Sequence, residues 1–167
     1  ESHHLWGKRY LLQVLELEAA PSVEVNQKAL LLHVRPGTDR AKRQSVVDSW
    51  YRDQIRNAVP ALIEKWEPVM GVQVTNFYVR QMKTLWGSCN SKAGSIRLNS
   101  ELAKKPRECL EYVVVHEMVH LLERSHGQRF IAFMDHFMPL WRHHKDGLNE
   151  LPLKHEDWVL LPSLSRL

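Results

Sequence analysis

Three histidines and one glutamate dominate what this chain can do chemically. His116-Glu117-x-x-His120 is followed by a third histidine, His126. Residues four apart on an α-helix lie on one face, one turn above the other, so His116 and His120 can aim two imidazole nitrogens at one point. Glu117 projects at the edge of the same face, within reach of a metal-bound water but badly placed to ligate alongside both histidines. Catalytic zinc takes three protein ligands and keeps its fourth position for water, which makes His126 the natural third ligand. On a helix that simply continued at about 3.6 residues per turn, His126 would face away from His120. The helix must therefore end near Arg124, where Ser125 and Gly127 let the chain turn back and glycine is the favoured stop.

The surroundings of the trio favour a metal. Val113, Val114, Val115, Met118, Val119, Leu121 and Leu122 mark a buried helix. Two histidines and a glutamate facing a core without partners would be costly, and a bound cation removes that cost. The bland alternative is a helix with two half-exposed histidines that fall four apart. Other histidines are weaker candidates. His136 could approach from a following helix, whereas His3-His4 and His143-His144 are sequence neighbours that make poor designed sites.

Stepping outward, residues 8–18 alternate partially and predict a strand, with the N-terminal residues and Gly7 forming the end of an earlier strand and a turn. Val23–Asn26 and Lys28–Val34 are further strand candidates, and Arg35-Pro36-Gly37 is a turn. Thr38 or Asp39 can cap a long helix carrying Val46, Val47, Trp50, Ile55, Val59, Leu62, Ile63 and Trp66 at helical spacing, with a kink or a break expected at Pro60. Val72–Val79 has the clearest strand pattern; Lys83–Lys92 reads as a loop and Ser95–Leu98 as a short strand. Asn99 or Ser100 caps a short helix through Lys104, and Pro106 suits the first turn of the histidine-bearing helix, expected at about 107–123. Helices over Gln128–His136 and from Pro139 through His144 precede an irregular tail at 150–167.

At 167 residues the chain suits one domain, 1–167, with a sizeable core. It begins without methionine and in what reads as the end of a strand, which suggests that an N-terminal segment is missing. No apolar run approaches a membrane span. Two cysteines, Cys89 and Cys109, make no disulfide framework and point to a reducing cytoplasm. The net charge of +4 permits contact with nucleic acid without requiring it. The densest basic zone, Arg35 to Arg56, is interrupted by Asp39, Asp48 and Asp53 and reads as a solvated helix face.

Three runs carry a family resemblance: Met82–Lys92 (MKTLWGSCNSK), Ile96–Asn99 (IRLN) and Tyr112–Phe130 (YVVVHEMVHLLERSHGQRF). Over roughly Tyr10 to Asn149 the chain resembles the YgjP-type branch of the SprT-like zincin metallopeptidases. It departs from that pattern at Leu85, where a basic residue is expected, and at Ile131, where tryptophan is expected. The resemblance implies an α+β, zincin-like fold: a small twisted, mostly antiparallel sheet packed on helices. It also implies His116, His120 and His126 as zinc ligands and Glu117 as catalytic base, with a protein or peptide as substrate and an association with DNA as an inheritance of the wider group. In zincins the strand shortly before the metal helix is the edge that pairs with extended substrate, a role expected here of 95–98.

The expected chemistry is hydrolysis. Zinc held by three neutral imidazoles brings the pKa of its water toward about 7. Glu117 accepts that water's proton and passes it to the leaving amine. Glu123 is a candidate partner for a ligating histidine, and Arg97, Tyr112, Ser88 and the Gly87-Ser88 backbone are candidates to stabilise the oxyanion. Nickel, cobalt or manganese would suit the same ligands. The rival reading is a DNA- or protein-binding module with structural zinc, but such sites are four-ligand and rich in cysteine, which this set is not.

Overall fold

The computed structural model describes residues 1–150, so the expected tail lies, from residue 151 on, outside the described residues. β1 (Ser2–Leu5) and β2 (Lys8–Glu16) form an antiparallel hairpin about Trp6-Gly7. β4 (Ala29–Val34) lies parallel to β2 and antiparallel to β3 (Ser22–Val25), giving the order β1-β2-β4-β3. β4 reads Ala-Leu-Leu-Leu-His-Val and buries Leu30, Leu32 and Val34 completely, as its apolar run requires.

Across this sheet lies α1 (Arg40–Met70). Asp39 caps it by accepting a hydrogen bond from the Lys42 N–H at 2.9 Å, and Gly71 ends it in the left-handed conformation that glycine adopts without strain. Its buried stripe is Val47, Tyr51, Ile55, Val59, Ile63, Trp66 and Met70, three or four apart throughout. The helix does not break at Pro60. That residue sits on the exposed face, where the carbonyl that loses its N–H partner is open to water, while the flanking Val59 and Ile63 hold the stripe in the core.

The strand expected at 72–79 begins only at Asn76. The donors before it are already taken: the Val74 N–H by Glu67 at 2.9 Å and the Thr75 N–H by Gly94 at 2.8 Å. β5 (Asn76–Arg80) pairs in parallel with β7 (Ser95–Asn99), and β7 pairs antiparallel with β6 (Gly87–Asn90), giving the order β5-β7-β6. β6 falls inside the expected loop. Gly-Ser-Cys-Asn has little intrinsic strand preference; a tight turn closed by Gly94 N–H to Asn90 C=O at 2.9 Å folds it onto β7. β7 is consequently the central strand, so it cannot be the free edge expected of it. Among the described residues the open edge beside the histidines is β6.

The α+β class holds, with two mixed sheets instead of one and three antiparallel pairings against two parallel. A 3₁₀ turn at Ser100–Lys104, capped by Asn99, leads to α2 (Arg107–Val119). α3 (Gln128–Phe137) and α4 (Trp141–Asn149) follow. α4 outruns its expected end at His144 because Leu148, wholly buried, belongs to the core. α2 packs on α1, where Glu111 accepts from Lys65 Nζ at 2.7 Å and Trp66 Nε1 at 2.8 Å.

Candidate metal centre

α2 is four residues shorter than the expected 107–123, and this shortening builds the site. His120 is its C-terminal cap, and the chain tightens into short turns in which the Leu122 and Glu123 N–H groups both return to Val119 C=O, at 2.8 and 2.9 Å. The turn releases residues 121–127 from the helix axis and swings His126 back. The side-chain nitrogens of His116, His120 and His126 then lie within 4.8 Å of one another, with His120 Nε2 and His126 Nε2 at 2.9 Å. His116 is fully buried and the other two are half-buried.

Hydrogen bonds orient the rings. His120 Nδ1 lies 3.0 Å from the backbone carbonyl of Glu123 and so carries the proton, leaving Nε2 as a free lone pair. His116 Nδ1 lies 3.1 Å from Glu117 Oε2, and its buried Nε2 has no hydrogen-bond partner among the described residues. An orphaned, buried imidazole nitrogen beside two converging ring nitrogens is the donor set a divalent transition metal takes, so the residues fit the group. Phe130 of α3 supports all three rings, its centroid 5.0, 4.7 and 5.0 Å from those of His116, His120 and His126.

Electrostatics point the same way. Burial pushes His116 down to about 3, keeping it a neutral ligand at ordinary pH. Burial pushes Glu117 up to about 7, a rise limited by His120 and His126. Glu117 touches β6: a Cβ on Gly87 would stand 3.0 Å from Glu117 Cγ, Glu117 Oε2 and the Arg97 carbonyl. Only glycine lets the strand come this close.

A cleft of about 530 Å³ opens over these groups, lined by β6, His116, Glu117, His120 and His126, with Lys92 and Arg124 at its charged margin. Ser88 is at its rim. Cys89 faces it too, a thiol pushed up to about 11 by burial and the Glu117 charge and so protonated at neutral pH. The other sequence candidates sit elsewhere. Tyr112 is wholly buried, edge-on to His116 at 6.0 Å and stacked on Trp141 at 6.5 Å, outside the cleft lining. Arg97 is exposed, on the face of β7 opposite buried Ile96 and Leu98. The Glu123 carboxylate does not touch a histidine; it accepts from Ser125 N–H at 3.2 Å and meets Arg129 at 3.6 Å, holding the turn that presents His126. His136 lies exposed on α3, outside the cluster.

Three residues act here that spacing alone does not single out. Gly87 admits Glu117, and Phe130 backs the rings. Asn99, read only as a cap, also donates through Nδ2 to the Met82 and Leu85 carbonyls, both at 2.9 Å, fixing the approach to β6. The glycine in Trp-Gly-Ser-Cys was the one available signal for the first.

The sequence matches the family model described as YgjP-like, metallopeptidase domain, over residues 1–151. Among solved structures the chain is similar to the metallopeptidase zymogen of Pyrococcus abyssi abylysin, at 22% identity and a TM-score of 0.49, covering 53% of this chain and 89% of that one. It is also similar to the metallopeptidase zymogen of Methanocaldococcus jannaschii jannalysin, at 22% identity and a TM-score of 0.39, covering 50% and 81% respectively. Among curated proteins none matches.

Proposed function

The chain belongs to the YgjP-like metallopeptidase family, and from that premise we propose that it hydrolyses peptide bonds with zinc held by His116, His120 and His126 and with Glu117 as general base. The observation that carries this reading is the convergence of three imidazoles beside a buried carboxyl group. When bound, the metal supplies a Lewis acid for the scissile carbonyl and lowers the pKa of water toward about 7. Glu117 takes the proton released by the attacking water and returns it to the leaving amine. A carboxyl held near 7 is suited to both transfers, because a base works best when its pKa lies near the operating pH. The contact at 3.1 Å with His116 Nδ1 keeps Oε2 in place. Glu123 serves through its backbone carbonyl, as the acceptor that orients His120.

β6 is the docking edge in this reading. It is the end strand of its sheet, and its free side can take main-chain hydrogen bonds from an extended peptide regardless of sequence. The Gly87-Ser88 backbone and the Ser88 hydroxyl are then the nearest candidates to support the oxyanion, ahead of Arg97 and Tyr112. Among the described residues one hydrophobic cluster draws on both sheets and all four helices, which supports reading them as a single domain. Two free thiols fit a reducing compartment such as the cytoplasm. No helix among the described residues is long and apolar enough to cross a membrane.

The deciding experiment pairs elemental analysis with peptide turnover. Wild type should carry about one zinc per chain, and His120→Ala should lose it. Glu117→Gln should keep the metal and lose hydrolysis; undiminished turnover in that variant would refute the mechanism.

A further inference from the structure

A row of connected depressions leads away from the metal cleft. That cleft shares Ser88, Cys89 and Asn90 with a hollow of about 460 Å³ on the outer face of the β5-β7-β6 sheet. The hollow in turn shares Tyr78 and Arg80 with a cleft of about 640 Å³ between α1 and the β5 edge, where Arg52 and Arg56 stand. Strand register explains the continuity. Tyr78, Arg97 and Ser88 form one cross-strand row and Asn76, Ser95 and Asn90 the next. Alternation turns these side chains outward while Val79, Ile96 and Leu98 fill the core.

The surface is basic. No carboxylate belongs to either row, and among the described residues Arg52, Arg80 and Arg97 make no ion pair. Arg56 alone is engaged, by Asp53 at 3.2 Å. Among the described residues β5 is an end strand, and its outer side has no partner strand to saturate it.

We propose that this surface is an exosite for an acidic, extended segment of the substrate, running from the metal cleft across Tyr78 and Arg97 to Arg52, Arg56 and Arg80. The proposal rests on the peptidase reading, since the occupant is the same chain that is cut. Guanidinium groups pair with carboxylates in a bidentate fork, and the open β5 edge offers main-chain hydrogen bonds that a peptide can use. A phosphodiester strand fits less well. Surfaces for single-stranded nucleic acid stack successive bases on several aromatic rings, and Tyr78, 46% exposed, is the one large exposed aromatic here among the described residues.

The test compares two fluorogenic peptides with the same cleavable stretch, one extended by a segment with glutamate at alternate positions. The extension should lower KM about tenfold, the size of one charge-assisted contact, without changing kcat. Arg52→Glu combined with Arg80→Glu should erase that advantage while leaving the unextended peptide unaffected. Arg52→Gln with Arg80→Gln, checked for an unchanged melting temperature, should erase most of it. Independently of turnover, the fluorescein-labelled acidic segment alone should bind wild type in fluorescence anisotropy, weaken with added salt, and bind the double variants far more weakly. Equal KM values for the two peptides, or equal binding of the segment to wild type and variants, would overturn the exosite. So would a labelled single-stranded oligonucleotide that displaces the acidic segment and binds more tightly. If no peptide is cleaved at all, the hydrolase reading falls while anisotropy still decides the exosite.

Discussion

Glu117 is 2% exposed, and a carboxyl group so placed holds its proton to a higher pH than the same group in the unfolded chain. Its usual value of 4.5 rises to about 7 in the metal-free protein. The favourable contribution of the protonated form is therefore complete below pH 4.5 and is lost as pH climbs through about 7. Metal-free Glu117→Gln, which cannot ionise, should match wild type in thermal unfolding near the acid end of that window. Above it the variant should be more stable, by about 3 kcal/mol at most. Stability curves that stay parallel across the window would contradict the burial argument. Gly87→Ala makes a second residue-scale test. The added methyl enters the space 3.0 Å from Glu117 Oε2, so turnover should drop on the order of a hundredfold while zinc content is unchanged. His116, Glu117 and His120 are legible in the sequence as a candidate set because helical spacing is local information, and His126 because Ser125 and Gly127 signal the turn that returns it. Gly87 and Phe130 are harder to read, since Gly87 meets Glu117 from another element and Phe130 reaches His116 and His120 from α3, contacts that only tertiary packing creates.

At the scale of elements, the histidines depend on where α2 stops and on what α3 brings beneath it. Phe130→Ala should leave the donors in place but unsupported. We expect metal affinity to fall about tenfold and stability to fall by about 3–5 kcal/mol, read by competition with a chelator and by thermal unfolding. Affinity equal to wild type would mean that hydrogen bonds alone fix the rings. The element boundaries show what pattern reading can see. The buried stripe of α1 and the apolar run of β4 were plain, because burial imposes their periods. β6 was invisible, because four residues of low strand preference are held there by a turn and by β7. The 72–75 stretch misled in the opposite sense: a good strand pattern yielded to Glu67 and Gly94, which had claimed its backbone donors.

For the molecule as a whole, the proposed ligands come from two successive segments of the chain. One is the end of α2 and the other the turn that enters α3. A metal that binds only the folded chain should stabilise it by about 2.7 kcal/mol at a hundred times its dissociation constant. Zinc should accordingly raise the melting temperature of wild type and leave His120→Ala unchanged in scanning calorimetry. A shift of equal size in both proteins would place the stabilising ion elsewhere. The short strand β6 also has a kinetic meaning. A guest chain aligned on Gly87–Asn90 can pair with four residues at most, too few to hold it for long. On the proposed peptidase reading, so brief a grip lets most of the chains it meets leave uncut. Selection among them then depends on how often a chain comes back, and any anchor beyond the scissile bond acts by raising that frequency of return.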